Sequence, residues 1–212
     1  KVIEIKQIGK RYGDKTVLNN ISFVVEEGTI TGFIGPNGAG KTTTLKIMMR
    51  LVLATQGDVY INGRSVKNDP TFNERLGFIP AEPRFPNLTV EKYILDCAYL
   101  RDVAKEEVLR KLSNSPLNQF RYHNLLLMDE PFNGLDPDFR KRLFDILVNI
   151  RKEGGTIFLS THILPDLQRM AQNVVMIRRG KIVYKGLMTD DIEKTYEEYF
   201  IEEGQDHGLF EL

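Results

Sequence analysis

Residues 35–42 have the types and spacing of a phosphate-binding loop. They read Gly-Pro-Asn-Gly-Ala-Gly-Lys-Thr and fit the pattern G-x-x-x-x-G-K-[ST]. Glycines let the backbone curl so that successive N–H groups converge on phosphate oxygens, and Lys41 adds a charge at the β- and γ-phosphates. Thr42 offers a hydroxyl to Mg²⁺, and the helix expected to begin here directs its positive end at the same anion. An apolar strand precedes the loop and an apolar helix follows it, so the segment is predicted to bind a nucleotide.

Three further polar residues follow segments that are typical of buried strands. Asp129 and Glu130 come directly after the apolar run 125–128, and His162 follows the segment 157–161. Asp129 has the chemistry to hold Mg²⁺, and Glu130 has the chemistry to orient or deprotonate an attacking water. Taken alone, Asp129 and Glu130 would fit a solvated acidic turn, and His162 would fit a structural role. Because ligands of open α/β sheets bind outside the carboxyl ends of strands, the phosphate loop favours the functional interpretation.

The segments that must position these residues alternate between strands and helices. Strands are predicted at 2–5, 21–25, 29–34, 58–61, 125–128, 156–160, 174–177 and 182–184. Helices are predicted at 41–53, within 89–113, after the N-cap-like pair Asp136-Pro137, and from Pro165. The alternation predicts an α/β fold with a mainly parallel sheet flanked by helices.

The composition is that of an ordinary globular protein. The chain has 212 residues, of which 42% are hydrophobic, and its 29 basic and 29 acidic side chains give zero net charge. Nothing in this balance predicts a nucleic-acid partner. The single cysteine, Cys97, cannot form an internal disulfide, which predicts a reducing compartment. No apolar run approaches the ~20 residues of a membrane span, so any membrane role is expected to come through a partner. The first residue, Lys1, predicts a trimmed start.

These motifs resemble those of the nucleotide-binding subunits of ATP-binding-cassette (ABC) transporters, and the resemblance covers residues 2–186. The family's Walker A, Walker B with catalytic glutamate, D-loop and switch-histidine motifs are matched in that order by residues 35–43, 125–130, 133–136 and 160–162. Tyr12 matches the aromatic residue that stacks on adenine, although a tyrosine at a strand end has an equally ordinary structural explanation. The sequence around the phosphate loop is similar to that of two-component drug, peptide or bacitracin-type exporters.

The resemblance implies a P-loop NTPase core that binds ATP with Mg²⁺ and that carries an N-terminal antiparallel β subdomain. It assigns nucleotide contacts to Tyr12, Gly35, Asn37, Gly38, Ala39, Gly40, Lys41, Thr42 and Thr43. It implies that Thr42 and Asp129 hold Mg²⁺, while Glu130 positions the attacking water and His162 contacts the γ-phosphate. Asp136 is implied to act in the D-loop, and it is expected to be the N-cap of its helix as well.

The resemblance also implies partners and a location. Two such domains are expected to pair head to tail as a homodimer around two ATP molecules, and their closing and reopening drive an integral-membrane transporter subunit. The segment 83–93 corresponds to the region that meets this subunit. The chain is thus expected to be a cytoplasmic ATPase, peripheral at the inner face of the cell membrane, that energises transport and specifically export. A non-transport ABC ATPase and a hydrolysis-deficient ATP sensor are the alternatives left open.

Two departures from the family pattern lie between the nucleotide motifs. Ala81 takes the place of a glutamine, and Glu82 next to it is a candidate substitute as a metal ligand. The Leu-Ser-Gly-Gly-Gln signature is replaced by Leu-Ser-Asn-Ser at 112–115, and only 88 positions separate Lys41 from Asp129. Either the ATPase is degenerate, or the sequence joins segments that further residues separate in the intact protein. The well-formed motifs on both sides favour the second explanation, in which the helical subdomain near 84–122 is incomplete.

The chain is predicted to divide into an ABC ATPase domain, residues 1–189, and an acidic tail, residues 190–212. The tail carries nine acidic residues and one lysine, with aromatic residues interspersed. This pattern favours an amphipathic helix that packs on the body of the protein. A short regulatory or dimer contact is the alternative.

Overall fold

The structure is a computed structural model that describes residues 1–72, 76–81, 104, 106 and 125–200. The strands are β1 Ile3–Tyr12, β2 Lys15–Val25, β3 Ile30–Ile34, β4 Gln56–Ile61, β5 Arg64–Ser65, β6 Leu76–Ile79, β7 Leu125–Asp129, β8 Thr156–Thr161, β9 Asn173–Arg178 and β10 Lys181–Leu187. The helices are α1 Lys41–Met48, α2 Pro137–Lys152, α3 Leu164–Gln168 and α4 Ile192–Phe200. No helix in these ranges is long and apolar enough to cross a membrane.

The N-terminal part forms the expected antiparallel sheet, with the strand order β2-β1-β4-β5. β1 and β2 pair as a hairpin from Ile3 opposite Val25 to Tyr12 opposite Lys15. Gly13 closes the hairpin with φ +56°, a left-handed conformation that glycine adopts without steric cost. Both strands run well beyond the segments 2–5 and 21–25 that the sequence predicts, because the polar tip of the hairpin lacks an apolar pattern.

The second sheet has the strand order β10-β9-β3-β8-β7-β6, in which β10 alone is antiparallel to its neighbour. Every residue of β3, β7 and β8 is buried. Continuous apolar runs of this kind are typical of strands that are covered on both faces. The predicted parallel sheet is therefore confirmed.

The parallel sheet lies between two apolar layers. Toward the antiparallel sheet, the rings of Phe23, Phe33 and Phe158 pack with centroids 5.3–5.6 Å apart. Toward the helices, Leu147 of α2 and Leu167 of α3 are buried in one cluster with residues of β3, β7, β8 and β9. This three-layer packing fixes the sheet edge at which the chemistry-bearing residues lie.

Helix α1 ends at Met48, five residues earlier than the apolar pattern up to position 53 predicts. Arg50 adopts φ +58°, which ends the helix. The amides of Leu51 and Val52 both donate to the carbonyl of Lys46, so the chain turns rather than continuing. Leu51 and Leu53 are left exposed.

Helix α4 lies at the start of the predicted acidic tail. Ile192 is fully buried, and Tyr196 and Phe200 pack against the same apolar cluster as α2 and α3. Burial raises the pKa of the Tyr196 phenol. The domain boundary at 189/190 stays a prediction.

Several expectations fall outside the described residues. They concern the candidate ligand Glu82, Cys97, the docking segment 83–93, the helical subdomain near 84–122, the signature-like residues 112–115 and the tail beyond 200.

Candidate functional site

The phosphate loop connects β3 to α1, and its glycines hold conformations that other residues avoid. Gly38 and Gly40 have φ values of +79° and +110°. A Cβ atom on Gly35 would lie 2.2 Å from the carbonyl oxygen of Ile177, so only glycine fits at that position. Helix α1 begins directly at Lys41, and its N-terminal end therefore faces the loop, as an anion site requires.

Lys41 lies at the centre of this loop and is almost completely buried, with 5% of its surface exposed. Its Nζ donates to the carbonyl oxygens of Gly35 at 2.7 Å and Pro36 at 3.3 Å. The same ammonium lies 3.1 Å from Oε1 of Glu130. A buried cation needs such partners, and the Glu130 carboxylate supplies the opposite charge.

Asp129 accepts hydrogen bonds from two hydroxyls. Thr42 Oγ1 donates to its Oδ2 at 2.7 Å, and Ser160 Oγ donates to its Oδ1. The carboxylate is 2% exposed, so these two bonds stabilise a charge that water does not reach. Asp129 of β7 and Ser160 of β8 are paired in the register of these strands, and this pairing places the two side chains within hydrogen-bond distance.

The pair of Thr42 Oγ1 and Asp129 Oδ2 fits a Mg²⁺ site. Mg²⁺ is bound in phosphate-processing sites through one or two carboxylates together with substrate phosphates and water. Within the described residues no group of three or more His, Cys, Asp and Glu side chains could hold a metal. A metal at Thr42 and Asp129 therefore needs phosphate or water oxygens to complete its ligand set, as expected for a metal bound together with a nucleotide.

Glu130 is held at its backbone and at its side chain. Its φ is +47°, a conformation that costs a non-glycine residue of order 1 kcal/mol and that is found at functional sites. Its amide donates to the carbonyl and hydroxyl oxygens of Ser160, each at 3.1 Å. Oε2 lies 2.9 Å from Nδ1 of His162. With Oε1 beside Lys41, the carboxylate is fixed between a cation and an imidazole.

A cleft of about 480 Å³ opens above the phosphate loop. The expected residues that line it are Asn37, Gly38, Gly40, Lys41, Thr42, Thr43 and Glu130. Four residues without a sequence prediction line it as well, namely Lys15, Thr16, Val17 and Arg179. Arg179 reaches the cleft because the β9–β10 turn is tied to the loop, with Gly180 N donating to Ala39 O at 3.0 Å.

Other predicted site residues do not line the cleft, and Tyr12, His162 and Asp136 are among them. Tyr12 is 48% exposed and does not line the cleft, and Nζ of Lys10 lies 4.6 Å from the centroid of its ring. His162 reaches the site through its contact with Glu130. Asp136 caps α2, because its Oδ1 accepts the amides of Asp138 and Phe139 at 3.0 Å each. The N-cap role is therefore confirmed, whereas the stacking and D-loop roles stay predictions.

Comparisons with known proteins agree with this geometry. The family model described as ABC transporter matches residues 18–125, and a model for an AAA domain matches residues 108–166. An uncharacterised ABC transporter ATP-binding protein of Methanocaldococcus jannaschii is 32% identical over 93% of this chain and 82% of its own length. The lantibiotic transport ATP-binding protein of Streptococcus pyogenes is 31% identical over 86% and 89%, and the bacitracin transport ATP-binding protein of Enterococcus faecalis is 33% identical over 86% and 68%.

The relatives contain positions that this chain lacks. The alignment with the Methanocaldococcus protein has 229 positions, whereas 93% of 212 residues is about 197, which leaves about 32 positions without a residue of this chain. For the Streptococcus protein, 206 positions against about 182 residues leave about 24. The short spacing between the nucleotide motifs agrees with this difference.

A solved structure of an ATP-binding subunit of an ABC transporter has the same fold. It superposes with a TM-score of 0.78 at 28% identity, over 92% of this chain and 93% of that one. CbiO1 of Clostridium perfringens superposes with a TM-score of 0.76 at 19% identity, over 93% and 92%, which extends the likeness in fold. The loop and strand-end geometry, the family model and these relatives together show that the chain belongs to the ATP-binding subunits of the ABC transporter family.

Proposed function

We propose that the chain hydrolyses ATP with Mg²⁺ and that this hydrolysis drives export through a separate membrane subunit. The observation that carries the proposal is the position of the Glu130 carboxylate, held between Lys41 at 3.1 Å and His162 at 2.9 Å at the mouth of a phosphate loop. A carboxylate that is 10% exposed and oriented from both sides is suited to act on one water molecule.

In this proposal each residue has a separate task. The loop amides and Lys41 bind the β- and γ-phosphates, and Lys41 exchanges its contact with Glu130 for phosphate oxygens. Glu130 orients a water in line with the γ-phosphate and accepts its proton as the bond to the β–γ bridging oxygen breaks, which yields ADP and phosphate. Thr42 and Asp129 would hold Mg²⁺, which would neutralise part of the charge on the phosphates. His162 holds the Glu130 carboxylate in orientation.

The transport role is supported by the named relatives. Two of them are the lantibiotic and bacitracin transport ATP-binding proteins. We infer that this chain likewise works with an integral-membrane subunit, peripherally at the inner face of the cell membrane, and that it pairs as a homodimer when it binds ATP. No nucleic-acid partner is proposed. Co-purification from membranes followed by identification of the bound subunit tests the partner directly.

Substitution of Glu130 by Gln tests the hydrolytic role. The change keeps the shape of the side chain and removes the base, so we expect phosphate release to fall about 100-fold or more while ATP binding is retained. Glu197→Gln, on the exposed side of α4, is the matched control and is expected to keep wild-type turnover.

The outcome also separates the alternatives. If Glu130→Gln turns over ATP at the wild-type rate, the assignment of the base is wrong. If the wild-type protein together with its partner binds ATP but releases no phosphate, the chain is an ATP-sensing subunit. A wild-type ATPase that has no membrane partner would instead be a non-transport ABC protein.

A further inference from the structure

An ion pair joins α2 to α3 behind the two strand ends that carry Glu130 and His162. Arg140 lies in the first turn of α2, and Asp166 lies in α3. Nη1 of Arg140 is 3.4 Å from Oδ1 of Asp166, and Nη2 donates to the carbonyl oxygen of Phe132 at 3.4 Å. One guanidinium group therefore contacts both a helix and a loop.

The carboxylate of this pair is deeply buried. The side chain of Asp166 is 7% exposed, whereas that of Arg140 is 32% exposed. Among the described residues, Oδ2 of Asp166 has no hydrogen-bond partner. Within the part of the chain that the structure describes, Arg140 is the cation paired with Asp166, and its removal leaves the buried carboxylate without that counter-charge.

Each end of the pair is close in sequence to a residue of the site. Phe132 follows Glu130 by two positions, within a turn that is closed by the amide of Asn133 donating to the carbonyl of Glu130. Asp166 follows His162 by four positions, at the start of the helix that the histidine segment leads into. The pair thus connects the two chain segments whose side chains meet at 2.9 Å.

Apolar packing already holds these helices on the sheet. Phe144 and Leu147 of α2 share a buried cluster with Leu167 of α3, and the ring of Phe132 stacks on Phe144 with centroids 4.7 Å apart. Attachment of the helices is thus provided without the ion pair. What the ion pair adds is a directional link, because the planar guanidinium fixes the angle between its two acceptors.

We infer that Arg140 and Asp166 are positioning residues, which hold Glu130 and His162 in the orientation that hydrolysis requires. Neither residue lines the nucleotide cleft, so they act through the segments that they connect. The inference rests on the proposed ATPase function. In this inference the Arg140–Asp166 ion pair lies outside the cleft and affects the rate of hydrolysis rather than the affinity for the nucleotide.

Four variants test the inference. Asp166→Asn removes one charge at nearly constant shape, Arg140→Gln removes one charge and leaves a shorter polar side chain, and Arg140→Lys keeps the charge but lacks the planar guanidinium group. Arg142→Gln, on the exposed side of the same helix, is the matched control for the loss of one positive charge. Displacement of a catalytic group by about 1 Å costs about 100-fold in rate. We expect kcat to fall between about 10- and 100-fold in the first two variants and less in Arg140→Lys, with KM for ATP within about twofold of wild type.

A second measurement makes the test independent of turnover. The chain has three histidines, so the imidazole ¹⁵N resonances of His162 can be assigned with His162→Gln. We expect them to shift in Arg140→Gln and Asp166→Asn but not in Arg142→Gln. Unchanged kcat, or unchanged His162 resonances in a folded variant, would overturn the inference. If the loss of kcat is fully explained by the fraction of unfolded protein measured in thermal melts, the inference is overturned as well. If the wild type has no ATPase activity, the proposed function fails and the His162 resonances alone decide the positioning role.

Discussion

The hydroxyl of Ser160 contacts both Asp129, the proposed metal ligand, and the backbone of Glu130, the proposed base. Ser160 is completely buried, donates to Oδ1 of Asp129 and accepts the amide of Glu130 at 3.1 Å. Replacement by alanine removes both contacts without enlarging the side chain. We expect Ser160→Ala to destabilise the protein and to slow hydrolysis, although Ser160 does not line the cleft.

The size of the effect follows from the contacts that remain. Asp129 keeps its bond from Thr42 at 2.7 Å, and the amide of Glu130 keeps the carbonyl of Ser160 at 3.1 Å. The main loss is one hydrogen bond to a buried carboxylate, which is worth about 1.5–3 kcal/mol. For a protein of this length that corresponds to a fall in Tm of about 3–12 °C.

Urea unfolding followed by circular dichroism at 222 nm measures the loss in the free energy of unfolding. Ser22→Ala is the matched control, because Ser22 Oγ accepts the uncharged amide of Gln7 at 2.8 Å on an exposed hairpin. We expect this control to lose about 0.5–1 kcal/mol. Equal losses in the two variants would refute the argument that the charge of buried Asp129 sets the magnitude.

Two further predictions concern nucleotide binding, measured by titration with a fluorescent ATP analogue. Gly35→Ala brings a methyl group to 2.2 Å from the carbonyl of Ile177, so the loop must shift, and we expect at least a tenfold loss of affinity. Arg179→Gln removes a cation from the cleft wall, which is worth about 1 kcal/mol or about a fivefold loss in affinity. The Arg179 effect should shrink as salt rises; a salt-independent effect, or wild-type affinity in Gly35→Ala, would contradict these predictions.

The position of the site at one sheet edge could be predicted from the sequence, because strong local signals mark it. The apolar runs at 125–128 and 156–160 are the buried parallel strands β7 and β8. Such runs suit strands covered on both faces, and polar residues directly after them must lie at the carboxyl edge. The glycine spacing of the phosphate loop is also a local signal, because the backbone there needs conformations that favour glycine. Gly40, with φ of +110°, is an example.

Contacts between distant segments could not be predicted in this way. Arg179 follows β9 and has no feature that marks it as a cleft residue, because its place depends on the hydrogen bond between Gly180 and Ala39. The early end of α1 could not be predicted either. The apolar pattern continues to position 53, but Arg50 turns the chain and leaves Leu53 66% exposed. The ion pair of Arg140 and Asp166 also joins two helices whose relative position is set by tertiary packing.

The order of strands explains why Ser160 belongs to the site. β8 lies between β3, which leads into the phosphate loop, and β7, which ends in Asp129. The register pairs Ser160 with Asp129 on one side, while the next residue, Thr161, pairs with Ile34 on the other. The hydroxyl of Ser160 is therefore fixed by three adjacent strand ends rather than by a mobile loop. Because it contacts Asp129 and Glu130 together, a change at this position reaches the proposed metal ligand and the proposed base at once, and stability and turnover should fall together in Ser160→Ala.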